Sequence, residues 1–89
     1  MDNIDFIYEI KYWKQPRTNQ LLRVTLERLY RAGVNYETKK HRNFTCFLVI
    51  VVPEASIDSI KRWTSSLSHQ DAGYDISKIQ IEYLAEESL

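Results

Sequence analysis

The sequence of 89 residues predicts an α+β domain in which two helices cover one face of a four-stranded antiparallel sheet. Apolar and polar residues alternate near both ends of the chain, as in half-buried strands. Two stretches place apolar residues at helical spacing, and an almost uninterrupted apolar run, Phe44–Val52, lies between them. The length is that of one domain, so we assign residues 1–89 to a single domain.

The alternating segment Asp5–Trp13 predicts the first strand, and Lys14–Arg17, which contains Pro16, predicts the turn after it. Side chains one residue apart point to opposite faces of a strand, and one set is more apolar than the other. We expect the more apolar set to face the helices: Phe6, Tyr8, Ile10 and Tyr12.

The first helix is predicted to begin after Thr18, a favourable N-cap, and to end at Gly33, a favourable C′ residue. Helical spacing places the apolar residues of this segment on one line, with the arginines on the opposite arc. After Gly33, the short segment Val34–Lys40 is predicted to be a second strand. The residues on the apolar line are Leu22, Leu26, Leu29 and Gly33.

The run Phe44–Val52 predicts the third strand, which ends before Pro53. Ser56 is a candidate N-cap of a second helix. Both alternating sets of side chains in the strand are apolar, so we expect both of its faces to be covered. The predicted buried face of the second helix holds Ile57, Ile60, Trp63, Thr64 and Leu67.

A polar loop, Ser68–Asp75, is predicted to precede the last strand, Ile76–Leu84. The acidic tail, residues 85–89, is expected to fray. The resulting order of elements is strand, helix, strand, strand, helix, strand. It resembles the ferredoxin-like βαββαβ fold, whose first and third strands are central. That fold serves many functions, so the resemblance implies an architecture and no activity.

The ferredoxin-like arrangement predicts a basic, aromatic pole. It would bring the turn after strand 1, the hairpin between strands 2 and 3, and the loop with His69 to the same end of the sheet. Clustered cations beside aromatic rings suit single-stranded nucleic acid, and the cations also suit an acidic protein surface. A solvated hairpin tip is the simpler alternative. The candidate residues of this polyanion or acidic-partner site are Trp13, Lys14, Arg17, Lys39, Lys40, His41 and Arg42.

The sheet face away from the helices is predicted to carry exposed apolar side chains. A soluble monomer seldom leaves a large apolar patch in water, which favours a homodimer or another protein partner. Shielding by polar side chains from edge strands is the alternative. The candidate residues of this self-association or partner face are Ile7, Trp13, Phe47, Val49 and Val51. The pattern leaves open which set of the third strand points outward, and the other set is Phe44, Cys46, Leu48, Ile50 and Val52.

The composition argues against several classes of protein. Twelve basic and twelve acidic residues give no net charge, so attraction to nucleic acid or a membrane would have to be local. The single cysteine, Cys46, and an N-terminus without the positive charge of a secretion signal indicate a cytoplasmic protein. We expect no cofactor, metal or small-molecule substrate and no catalysis, because metal-ligand spacings, phosphate loops and nucleophile motifs are absent.

Three functional hypotheses remain. The first is a small non-catalytic binding or regulatory module that acts through protein–protein contacts. The second is a domain that binds RNA or single-stranded DNA through Trp13, Lys39, Lys40 and Arg42. Its sequence lacks the signature of the RNA-recognition motif, since no glycine follows the basic residue before Phe44. The third is a compact inhibitor of a nucleic-acid enzyme, of the kind that phages encode.

Overall fold

The computed structural model describes residues 4–68 and 75–89. Strands and helices alternate along the chain, and short 3₁₀ turns precede α2 and flank β3. The 3₁₀ turns are Glu54–Ser56, Ile76–Lys78 and Glu86–Ser88. The main elements are β1 (Ile4–Tyr12), α1 (Asn19–Lys40), β2 (Asn43–Val52), α2 (Ile57–Ser68) and β3 (Ile79–Ala85).

The described residues form a three-stranded sheet in the order β1-β2-β3, and both strand pairs are parallel. The predicted four-stranded antiparallel, ferredoxin-like βαββαβ sheet is therefore wrong. The chain instead follows a β-α-β-α-β path, in which each helix returns the chain to the start of the next strand.

The error arises in Val34–Lys40, which was predicted to be a strand and is the continuation of α1. Gly33 does not end the helix. A Cβ atom at this position would overlap the Phe44 ring, so glycine lets that ring pack directly on the helix. The helix ends at His41, whose left-handed conformation (φ 55°) lets its backbone N–H donate to the Glu37 carbonyl.

Strand β2 is the centre of the core. Alternate β2 side chains, from Phe44 to Val52, are buried against the helices. Leu22, Leu26 and Leu29 of α1 and Ile60 of α2 belong to the same buried cluster, so both helices cover one face of the sheet. The buried β2 side chains on that face are Phe44, Cys46, Leu48, Ile50 and Val52.

The orientation of β1 is the reverse of the predicted one. Its second set of side chains points toward α1, where Asp5 accepts a hydrogen bond from the Tyr36 hydroxyl and Glu9 pairs with Arg28 at 3.7 Å. Ile7 packs against the core from the same side. The side chains that were expected to face the helices are instead exposed on the opposite face: Phe6, Tyr8, Ile10 and Tyr12.

Helix α2 packs four of its five predicted apolar-face residues against the core, and the fifth side chain, Leu67, lies outside the described part of the structure. Ile60 and Thr64 are fully buried, and Trp63 packs against the core. The Trp63 ring lies 5.4 Å from the Trp13 ring, and its indole N–H donates to the Asn19 amide oxygen at 3.0 Å. This contact joins the start of α1, the end of β1 and α2 around Trp13, which is only 5% exposed.

Four further predictions concern the N-cap of α1, the start of α2, the acidic tail and the loop before β3. The N-cap at Thr18 is confirmed, since its hydroxyl accepts from the Leu21 N–H at 3.1 Å. Ser56 lies in the 3₁₀ turn that precedes α2. Within the tail, the Glu87 carboxylate accepts from the Glu54 backbone N–H at 2.9 Å. Most of the predicted loop Ser68–Asp75, including His69, lies outside the described residues.

We expect Gly33→Ala to destabilise the protein, although alanine is the better helix former by about 1 kcal/mol. The added methyl group must displace the Phe44 ring, and overpacking of this kind costs about 1–3 kcal/mol. Urea unfolding checks the sign. Asn35→Ala, at an exposed position of the same helix, is the matched control and should be neutral or stabilising.

In the Phe44→Leu background the penalty of Gly33→Ala should shrink, because the smaller side chain leaves room for the methyl group. A Gly33→Ala protein that is more stable than the wild type would contradict the proposed role of Phe44.

Candidate functional site

The sheet face away from the helices, called the open face below, is apolar and aromatic along β1. Tyr8 stacks on Phe47 of β2 with ring centroids 5.0 Å apart, and Phe6 meets the same ring edge-on at 5.5 Å. The three rings form a continuous aromatic surface. The exposed β1 residues of the open face are Ile4 (50%), Phe6 (58%), Tyr8 (59%), Ile10 (68%) and Tyr12 (50%).

The open face carries little charge. Strand register places Gln80, Glu82 and Leu84 of β3 beside Phe47, Val49 and Val51 of β2, at the flank opposite β1. Within the described strands, Glu82 is the one charged side chain on this face. The open face thus has an apolar centre along β1 and β2 and a more polar flank along β3.

The exposed apolar area is large for a chain of this size. Taking roughly 200 Å² for a fully exposed large side chain, the β1 side chains present on the order of 600 Å². Phe47, Val49 and Leu84 add to this area. The total approaches the roughly 800 Å² that each partner contributes to a standard protein–protein interface.

The structure places only part of the predicted partner face on the open face. Phe47, Val49 and Val51 lie there, although Val51 is only 4% exposed. Ile7 and Trp13 point to the helix side and belong to the core. Sequence reasoning missed Phe6, Tyr8, Ile10 and Tyr12 on this face, because the more apolar set of a strand is expected to face the helices.

The predicted basic pole is divided between the two ends of the sheet. Lys14 and Arg17 follow the carboxyl end of β1, whereas Lys39–Arg42 precede the amino end of β2. Because β1 and β2 are parallel, the two groups are separated by the length of β1, about 30 Å. Trp13 is buried and cannot serve as an exposed contact at either end.

The cationic residues 39–42 have structural roles where they lie. Lys39 and Lys40 occupy the last turn of α1, where positive charge complements the negative end of the helix dipole. His41 caps the helix through its backbone. A shallow pocket of about 450 Å³ adjoins this end of the helix, and Glu37 contributes negative charge to its lining.

Arg42 is held by Asp5 in a two-pronged ion pair. Its Nε and Nη2 atoms donate to the two carboxylate oxygens at 2.7 and 2.6 Å, and the Tyr36 hydroxyl donates to the same carboxylate. The hydrogen bonds from Arg42 and then Tyr36 lower the pKa of Asp5 below its usual value. The same bond to Asp5 raises the pKa of Tyr36. Arg42 therefore ties the end of α1 to β1.

The end of the sheet at which the three strands terminate carries acidic as well as basic residues. Glu86, in the last 3₁₀ turn, hydrogen-bonds the Tyr12 hydroxyl and raises the pKa of that phenol. Glu54 and Glu87 meet at the same edge. The acidic residues thus dilute the charge of Lys14 and Arg17 there.

Residues 4–68 and 75–89 contain no cluster of three or more side chains that could hold a metal ion. In the same part of the chain, no helix combines the length and apolar character needed to cross a bilayer. Cys46 is fully buried, and its burial raises the pKa of the thiol, which keeps it in the unreactive protonated form.

No protein-family model, curated protein or solved structure matches this chain.

We expect the Asp5 carboxylate to make stability depend on pH. Because its pKa is lowered in the folded state, its contribution is present above the usual Asp pKa of about 3.9. That contribution is lost as the pH falls through the lowered value. Asp5→Asn should therefore lower the urea midpoint at pH 7, and its difference from the wild type should narrow toward pH 2.

The control for this experiment is Asp5→Asn in an Arg42→Gln background. Removal of the main hydrogen-bond donor should reduce the difference at pH 7. A difference that is constant from pH 7 to pH 2 would contradict the assigned role of the ion pair.

Proposed function

We propose that this protein is a small non-catalytic binding module that acts through protein–protein contact at the open face. The partner presents a largely apolar surface with few charges, because that is the chemistry that complements the open face. The observation that carries the proposal is the exposure of Phe6, Tyr8 and Ile10, each between 58% and 68%, around the half-buried Phe47. Exposed apolar surface on this scale marks interaction sites.

The parallel sheet supports the proposal independently. Parallel sheets occur almost entirely with both faces covered, because their crossover connections usually place helices on each side. Here the two helices share one face, and the described residues leave the other face exposed. A partner that docks on the open face would complete the usual layered architecture.

Nucleic acid is less compatible with the same surface. Aromatic rings such as Tyr8 and Phe47 could stack on bases, but binding also needs cations that track the backbone. Within the described strands, the charged residue of the open face is the acid Glu82. The basic residues lie at the two ends of the sheet, so the aromatic surface and the cations do not form one groove.

We place this module in the cytoplasm. The buried thiol of Cys46 remains unpaired among the described residues, which suits a reducing compartment.

The double substitution Phe6→Glu/Ile10→Lys should weaken partner binding about 100-fold, since loss of each apolar contact costs about 1.5 kcal/mol or more. Both side chains are mostly exposed, so the fold should survive. The matched control is Val24→Glu/Val34→Lys, which makes the same charge changes at exposed apolar positions of α1.

Partners are first captured from the native cell extract with wild-type protein. The captured protein is then purified, and its dissociation constants for the wild type and the two double variants are measured by calorimetry. The proposal is supported if Phe6→Glu/Ile10→Lys weakens partner binding and the control variant does not. Equal affinity for the wild type and both variants would contradict it, and so would a captured species that nuclease removes.

A further inference from the structure

At the outer edge of β1, alternate backbone groups have no strand partner among the described residues. The Trp13 N–H donates to the Val51 carbonyl, which shows that odd-numbered residues of β1 direct their backbone groups toward β2. Even-numbered residues direct theirs toward the outer edge. Within residues 4–68 and 75–89, no strand pairs with that edge. The residues with outward backbone groups are Ile4, Phe6, Tyr8, Ile10 and Tyr12.

We propose that two copies of this chain pair through the outer edges of their β1 strands, antiparallel, with Tyr8 on the two-fold axis. Tyr8 is the central residue of Ile4–Tyr12, so this register overlaps the two strands completely. Every outward-facing residue then has a partner that is also outward-facing. Phe6 lies opposite Ile10 of the second copy, and Ile4 lies opposite Tyr12.

The charges of β1 select this register. It places Asp5 opposite Lys11 of the second copy, an attractive pair, and Glu9 opposite Ile7. A shift that centres the axis on Ile7 would oppose Asp5 and Glu9. A shift that centres it on Glu9 would oppose the two Glu9 carboxylates. Both neighbouring registers therefore bring like charges together, which is destabilising.

The edge is also accessible from the helix side. A groove of about 310 Å³ lies between β1 and α1, lined by Ile7, Tyr8, Glu9, Arg28, Leu29 and Ala32. Helix-side side chains of the second copy's β1 would enter the groove of the first copy beside Ala32, a small residue. A long edge strand that no helix or loop covers is a template for pairing with another chain.

Edge pairing would join the two sheets into one of six strands. The aromatic β1 stripes of both copies would meet at its centre, and the β3 strands with Glu82 would form the two polar flanks. The dimer would double the apolar surface on which the proposed partner docks. In this respect the inference rests on the proposed function and deepens it. An apolar centre with a polar rim is the usual anatomy of a protein interface.

Disulfide trapping tests the register directly. A hydrogen-bonded antiparallel pair has Cα atoms about 5.5 Å apart, within the range that a disulfide spans. Tyr8→Cys should therefore form a crosslinked dimer under mild oxidation, at twice the 10.6 kDa of one chain. Phe6→Cys is the matched control, because its copies would lie about 14 Å apart and cannot bridge. Wild-type protein should not crosslink, since Cys46 is buried.

The double variant Phe6→Cys/Ile10→Cys should crosslink again, because these two positions oppose each other in the proposed register. Crosslinking of Tyr8→Cys and of this double variant, without that of Phe6→Cys, supports the proposal. Absence of crosslinking in Tyr8→Cys would overturn it, and so would equal crosslinking of Tyr8→Cys and Phe6→Cys.

Sedimentation provides a measurement without engineered cysteines. Lys11→Glu places an acid opposite Asp5 of the second copy, twice in the symmetric dimer, and also removes the 3.5 Å pair between Lys11 and Glu9. It should weaken the wild-type dimer about tenfold. Lys14→Glu, the same change in the exposed turn after β1, should leave the dimer unchanged. A wild-type chain that sediments as a monomer at 100 μM, or equal effects of the two substitutions, would overturn the proposal.

Failure of this inference is distinguishable from failure of the proposed function. Phe6→Glu and Ile10→Lys oppose each other with opposite charges across the proposed dimer, so that variant keeps the dimer while it alters the open face. A monomeric chain whose partner binding is weakened by this pair contradicts edge pairing alone. A dimeric chain whose partner binding is unaffected by it contradicts the proposed function alone.

Discussion

The parallel placement of β2 between β1 and β3 is the constraint on which the rest of the structure depends. Parallel neighbours require a crossover helix for each connection, and these crossovers are almost always right-handed. Since the strand order runs β1-β2-β3 without reversal, both crossovers place their helices on the same face. The buried helix-side residues of β2 and the exposure of the open face are thus two consequences of one topology.

The same topology determines where the charged groups meet. Parallel strands bring the end of α1 to the start of β1. Arg42 can therefore form an ion pair with Asp5, although 37 positions separate them. The topology also sends Lys14 to the far edge of the sheet, away from Lys40. The most prominent cationic cluster of this chain, residues 39–42, therefore lies at the end of α1, where Arg42 forms an ion pair with Asp5.

Parts of the fold and of the candidate surface could be predicted from sequence because they depend on local patterns. The cap at Thr18, the leucine line of α1 and the alternation of β3 follow from neighbours a few residues apart. The helical line in fact continues from Leu29 through Gly33 to Tyr36, a signal that favoured a longer helix. Gly33 was misinterpreted because glycine ends many helices, whereas here it admits the Phe44 ring.

The sequence by itself determined that this chain has a two-sided apolar strand and lacks the known motifs of catalysis and metal binding. Tertiary structure alone decided which face of β1 meets the helices. Ile7 and Trp13 pack inward while Phe6, Tyr8 and Ile10 are exposed. The physical reason is that alternation specifies two faces of a strand without specifying which one a helix covers. That choice depends on strand direction and crossover, which involve residues far apart in the chain.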